Sequence, residues 1–240
     1  MFFDSSEVET LSAKYPDSWW EKKPAIQIIN EKHPLRIETK LQHPGAVYAA
    51  KWSNDGTCIA TVSTIGTIRI WDAVTFKLLL DLRDPTEIQI DEFFVCEWTP
   101  DDSRLFVGGK LKNRHRWSDD DDDNSVLPCP IKSFAIKEPT SPVKVFNGHK
   151  EEILCLKLLK YKNKNFMLSS SQDGYLIKWQ FDSNWDFQKK SYIDDESTSI
   201  AISIAFFPEC GNRYFACSGD HAVKVYDFEN ERVSAKYFFF

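Results

Sequence analysis

The 240-residue sequence has no CxxC pair, no membrane-length apolar run, no glycine-rich phosphate loop and no excess of basic charge. Each absence removes a class of function. The six cysteines (Cys58, Cys96, Cys129, Cys155, Cys210 and Cys217) are spread singly, which suits reduced thiols in an intracellular protein rather than a disulfide framework. Cys210, Cys217 and His221 lack close zinc-ligand spacing, and no other His or Cys cluster offers a metal site. The first ten residues, MFFDSSEVET, carry acids early and have no apolar signal core, and no run approaches the roughly 18 apolar residues of a membrane helix. Lys and Arg number 30 against 36 Asp and Glu, so a formal charge of -6 gives no overall footprint for wrapping nucleic acid. Gly108-Gly109-Lys110 lacks the GxxxxGK spacing and follows a strand expected to turn into another strand. These readings predict an intracellular protein of nucleus, cytoplasm or both, with no cofactor, no metal and no membrane partner.

What is present is a repeat. Trp52-Ser53-Asn54-Asp55-Gly56, Trp98-Thr99-Pro100-Asp101-Asp102 and Phe206-Phe207-Pro208-Glu209-Cys210-Gly211 are versions of one phrase, an aromatic followed by a turn, and Leu158 holds the same place in a further copy. Successive copies lie about 46, 60 and 48 residues apart, near or above the period of a four-stranded propeller blade. Around the first phrase the alternation predicts four strands, at 47–52, 58–63, 67–72 and 76–80. Asn54-Asp55-Gly56 and Gly66 supply turn residues that tolerate positive φ.

The stretch from His43 ends in Trp71-Asp72, Gly148-His149 opens a copy running to Lys178-Trp179-Gln180, and the last copy closes with Tyr226-Asp227. In order and register these features resemble the WD40-repeat family. The resemblance implies an all-β fold: a WD40-type β-propeller with about four blades visible, at roughly 43–84, 92–147, 149–192 and 199–240. Residues 1–24 form an N-terminal extension ahead of it. Family members usually have seven blades, so the sequence is expected to be part of a seven-bladed ring, completed by missing blades or by another chain. A closed four-bladed ring is the alternative. The leading strand Leu35 to Leu41 and the apolar Tyr237-Phe238-Phe239-Phe240 are expected to meet strands from outside this sequence, leaving the isolated chain prone to associate.

The third copy holds His149, Ser169 and Asp173, the residue types of a hydrolase triad. The resemblance implies a structural hydrogen-bond network instead, in which these residues join Trp179 so that polar groups trapped in the blade find partners. Ser171 shares a strand face with Ser169, and alternation does not separate the two. The first copy has His43, Thr61 and Trp71, but Ile65 stands where the turn Asp should be. The fourth keeps Asp220 and replaces the Trp by Tyr226. No catalytic residue is expected.

The second copy carries an insertion at 110–128, with a basic and aromatic arm (Arg114, Arg116 and Trp117) beside five aspartates, Asp119 to Asp123. It is either a solvated loop or a contact for a protein or nucleic-acid partner. Ser6 and Glu9 have capping-box spacing for a short helix over 7–14, which Pro16 ends. Beyond it, Trp19 and Trp20 either fold back or anchor a partner. The expected function is a non-catalytic scaffold or adaptor binding other proteins in a multiprotein complex. The alternatives are a histone- or nucleic-acid-contacting subunit and, less favoured, a hydrolase.

Overall fold

Four runs of alternating residues, each closed by short turns, become four antiparallel sheets in the computed structural model, which describes residues 39–82, 90–111, 129–193, 200–207, 213–219 and 222–238. The first sheet is β1 (Val47–Trp52), β2 (Cys58–Ser63), β3 (Ile68–Asp72) and β4 (Leu78–Asp81). The second is β5 (Ile90–Trp98), β6 (Arg104–Leu111), β7 (Cys129–Ala135) and β8 (Lys144–His149). The third is β9 (Ile153–Tyr161), β10 (Lys164–Ser171), β11 (Leu176–Phe181) and β12 (Phe187–Ile193). The fourth is β13 (Ser203–Phe206), β14 (Tyr214–Gly219), β15 (Ala222–Asp227) and β16 (Arg232–Phe238). Each sheet is a meander in sequence order, and every regular element among the described residues is a strand.

Turn chemistry closes the hairpins. Gly56 sits at φ 72° between β1 and β2, and Lys162 and Asn163 both take positive φ between β9 and β10, the backbone of a two-residue hairpin loop. Between β2 and β3 the positive φ falls on Gly66 at 65° and on Ile65 at 61°, the latter an unfavourable place for a β-branched residue.

The chain divides into two compact units, 1–42 and 43–240, and the sheets belong to the second. There the first strands of the sheets lie side by side in sequence order, β1 against β5, β5 against β9 and β9 against β13. Aromatic plugs fill the seams. Phe181 and Trp185 of the third sheet pack on Phe106 of the second, and Phe228 of the fourth packs on Tyr161 and Phe166 of the third. Trp98 donates its indole N–H across the first seam to the Lys51 carbonyl at 3.1 Å. Gly108 is needed for close approach, since a Cβ there would meet Ile153 of β9 at 2.7 Å.

Two boundaries differ from the sequence reading. Lys110 and Leu111 remain in β6, because their backbone continues to pair with Glu92 and Ile90, so the insertion begins two residues later than expected. Gly148-His149 closes the last strand of the second sheet rather than standing outside it, so the sequence repeat straddles two sheets. The expected helix at 7–14, most of the leading strand 35–41 and the loop 112–128 lie outside the described residues, and residues 39–41 form no strand.

Candidate functional site

The predicted network of the third copy comes together around one hydroxyl. Ser169 lies in the middle of β10, where its Oγ donates to His149 Nε2 at 2.7 Å and accepts the indole N–H of Trp179 at 2.8 Å. The tautomer that satisfies both ends puts the single ring N–H on Nδ1, which donates to the Asp173 carboxylate at 3.1 and 3.2 Å. Asp173 also accepts the backbone N–H of Lys150 at 2.7 Å and of Tyr175 at 3.0 Å, tying together two chain turns. Burial would raise its carboxyl, but hydrogen bonds from His149 and these backbone groups outweigh that and hold it below the ordinary carboxylate range. Gly148 precedes the histidine for a steric reason: a Cβ there would strike the Trp179 ring at 2.6 Å. The geometry separates the two serines, since Ser171 Oγ accepts the Asp173 N–H and takes no part in the histidine contact.

The wiring is that of a hydrolase triad, but the hydroxyl is sealed. Ser169 is fully buried, and the indole N–H occupies a lone pair that an attacking alkoxide would need. The arrangement can bind its own strands together; it offers no opening for a substrate carbonyl.

In the first sheet the same pattern is cut short. His43 Nε2 meets Thr61 Oγ1 at 2.9 Å, and Trp71 Nε1 donates to that oxygen at 2.8 Å. His43 Nδ1 is buried without a partner, because Ile65 supplies no carboxylate. Burial, helped by the nearby Arg69 charge, lowers the His43 pKa and outweighs the opposing pull of the Asp81 carboxylate.

Sequence reading missed two contacts between sheets. Glu97 on β5 accepts from Lys51 of β1 and Lys157 of β9, each at 3.2 Å, so one carboxylate bridges three successive inner strands. Burial works against the Lys51 ammonium, yet Glu97 holds its pKa above the ordinary value. All three residues stand immediately before the repeated hydrophobe (Trp52, Trp98 and Leu158), and that shared place was the available signal. The Asp102 carboxylate accepts the backbone N–H groups of Asn54 and Asp55 at 2.8 and 2.9 Å, latching the turn of one sheet onto the next.

Trp19, Trp20, Arg114, Arg116 and Trp117 lie outside the described residues, as do Asp220 and His221. Among the described residues no three His, Cys, Asp or Glu side chains gather as a metal centre. Burial pushes the Cys96 thiol up to about 12, far from a reactive thiolate.

Comparison with known proteins agrees with this architecture. The family model "WD domain, G-beta repeat" matches residues 36–72 and 140–180. The chain is 26% identical over 157 residues to WD repeat-containing protein 1 of Gallus gallus, covering 65% of this chain and 22% of that protein. It is 26% identical over 243 residues to actin-interacting protein 1 of Drosophila melanogaster, covering 89% of this chain and 38% of that protein. To the protein transport protein SEC31 of Dictyostelium discoideum it is 27% identical over 150 residues, or 58% of this chain and 10% of that protein. It thus spans well under half the length of each of these curated relatives. The chain therefore carries WD40 repeats in two regions, on an all-β fold of four-stranded blades, and proteins named for that repeat are among its relatives.

Proposed function

We propose that this chain is a non-catalytic interaction module, a scaffold or adaptor whose blades present surface to other proteins. The observation that carries the reading is the state of Ser169: the Ser-His-Asp set found among the described residues is buried and bonded to Trp179, so it reinforces a blade. Rigid blades joined by variable turns leave function to the surface. That surface holds large apolar side chains, with Trp52 59% exposed and Tyr48 49% exposed on β1. Two relatives, from Drosophila melanogaster and Arabidopsis thaliana, are named for interaction with actin, which makes actin the first partner to test.

The test is co-sedimentation of the full chain with filamentous actin, beside affinity capture and mass spectrometry for other partners. Stable capture of defined proteins, with no esterase or peptidase activity above that of a Ser169→Ala variant, is the expected result. Absence of any partner together with hydrolysis that Ser169→Ala abolishes in a folded protein would overturn the reading.

A further inference from the structure

A cleft opens between the second and third blades, on the side where Pro100 and Asp101 turn from β5 into β6 and where the β9–β10 and β11–β12 hairpins end. Its volume is about 480 Å³, within the range of ligand sites and large enough for a few residues of an extended peptide. Phe181 and Trp185 form its apolar floor, and both are held in place by Phe106 of the neighbouring blade.

The rim carries two lysines and two aspartates, equal in formal charge but unequal in which groups are left open to a ligand. Asp101 lines the cleft, but its carboxylate is occupied by the hydroxyl of Ser103 at 2.8 Å and the N–H of Ser103 at 3.2 Å. Asp182 is likewise occupied, accepting the N–H groups of Asn184 and Asp186, each at 2.8 Å. Lys160 and Lys164 also line the cleft, and among the described residues neither ammonium has a carboxylate within reach. That sets them apart from Lys51, Lys144, Lys157, Lys162 and Lys178, all of which are paired. Gln180 and Gln188 add side-chain amides, and Gln188 belongs to β12, the outer edge strand of its sheet, where an extended chain can pair.

Unmatched ammonium donors, free amides and an apolar floor call for carboxylates carried on an extended chain with an apolar residue among them. We infer that this cleft binds an extended acidic segment of a partner protein. The inference rests on the interaction reading above and names the chemistry of one contact. The net charge of -6 makes the assignment selective, because the chain as a whole repels acidic peptides and only a local site would hold one.

The test is fluorescence anisotropy of the full chain with a fluorescein-labelled decapeptide alternating glutamate and valine, against the same peptide with glutamine for glutamate. Expected is at least roughly tenfold tighter binding of the acidic peptide, weakening with salt, and roughly tenfold loss in Lys160→Gln/Lys164→Gln with unchanged melting. Equal binding of the two peptides, or an unaffected double variant, overturns the proposal. Complete displacement by millimolar inorganic phosphate also overturns it, by reassigning the cleft to a small anion. Affinity capture by wild type and variant separates the two levels: if the peptide fails while wild type still captures defined partners, the cleft is wrong and the interaction reading stands. If both fail, both are wrong.

Discussion

The first and third blades are built from the same phrase and differ in what surrounds it. In the third, His149 satisfies both ring nitrogens, whereas in the first His43 satisfies one. The repeated aromatic shows the same divide: Trp98 of the second blade is 4% exposed beneath the first, while Trp52 is 59% exposed. Identical local chemistry thus carries different energetic weight. Turn residues and alternation make a blade, but a neighbour or a single carboxylate decides whether its aromatic and its histidine stabilise it.

The largest test of that contrast is a pair of truncations. Trp98→Ala should cost about 3–5 kcal/mol, since it empties a packed seam and removes the bond to Lys51, whereas Trp52→Ala should cost less than about 1 kcal/mol. Denaturant midpoints measure both, and similar losses would erase the distinction. Next come the histidines. His149→Ala should destabilise by about 1–3 kcal/mol through the stranded Asp173 and Ser169, and His43→Ala by clearly less, because one of its nitrogens is already unpartnered.

Acid sensitivity sharpens the comparison at the turn that follows each Trp-Asp or Tyr-Asp pair. Burial would raise the Asp227 carboxyl, but N–H groups of Asn230 and Glu229 and the Arg213 guanidinium bring it down to about 2. A depressed carboxyl stabilises the fold fully above its unfolded value near 4 and loses that contribution as pH falls toward 2. Wild type should therefore lose about 1 kcal/mol more than Asp227→Asn between pH 4 and 2, a figure reduced for solvent screening. Asp72 of the first blade is shifted the same way by the backbone N–H of Thr75. The smallest effect is a repair. Ile65→Asp should stabilise by a few tenths to about 1 kcal/mol, by relieving a β-branched residue at positive φ and offering His43 an acceptor, and should exceed Ile65→Gly, which relieves strain alone. Equal gains would show that the missing partner carries no weight.

The sheets were legible because alternation and turn residues act within a few positions: β1 and β2 fall at the residues expected from the sequence, and the meander follows. The gap at Ile65 was legible too, as a departure from a repeated register. The cross-blade contacts were not. Glu97 and Asp102 act on residues 46 to 60 positions away, and no local pattern reveals that one carboxylate forks between two lysines while another caps a neighbour's turn. The cleft was equally hidden, since Lys160 and Lys164 matter through what their neighbours leave unpaired. Trp52 and Trp98 looked alike for the same reason: burial belongs to the neighbour.

The aromatic plugs all point one way. Trp98 reaches back to the first blade, Phe181 and Trp185 to the second, and Phe228 to the third, so each blade docks on one translated before it. On a ribosome, a new blade emerges about every few seconds, whereas β-sheet domains fold in about milliseconds to seconds. Each arriving plug finds its socket already built, and the growing chain exposes at most about one unfinished blade at a time. Synthesis in the opposite direction would present the plugs before their sockets; the polarity of the seams makes this a fold suited to assembly from its N-terminal side.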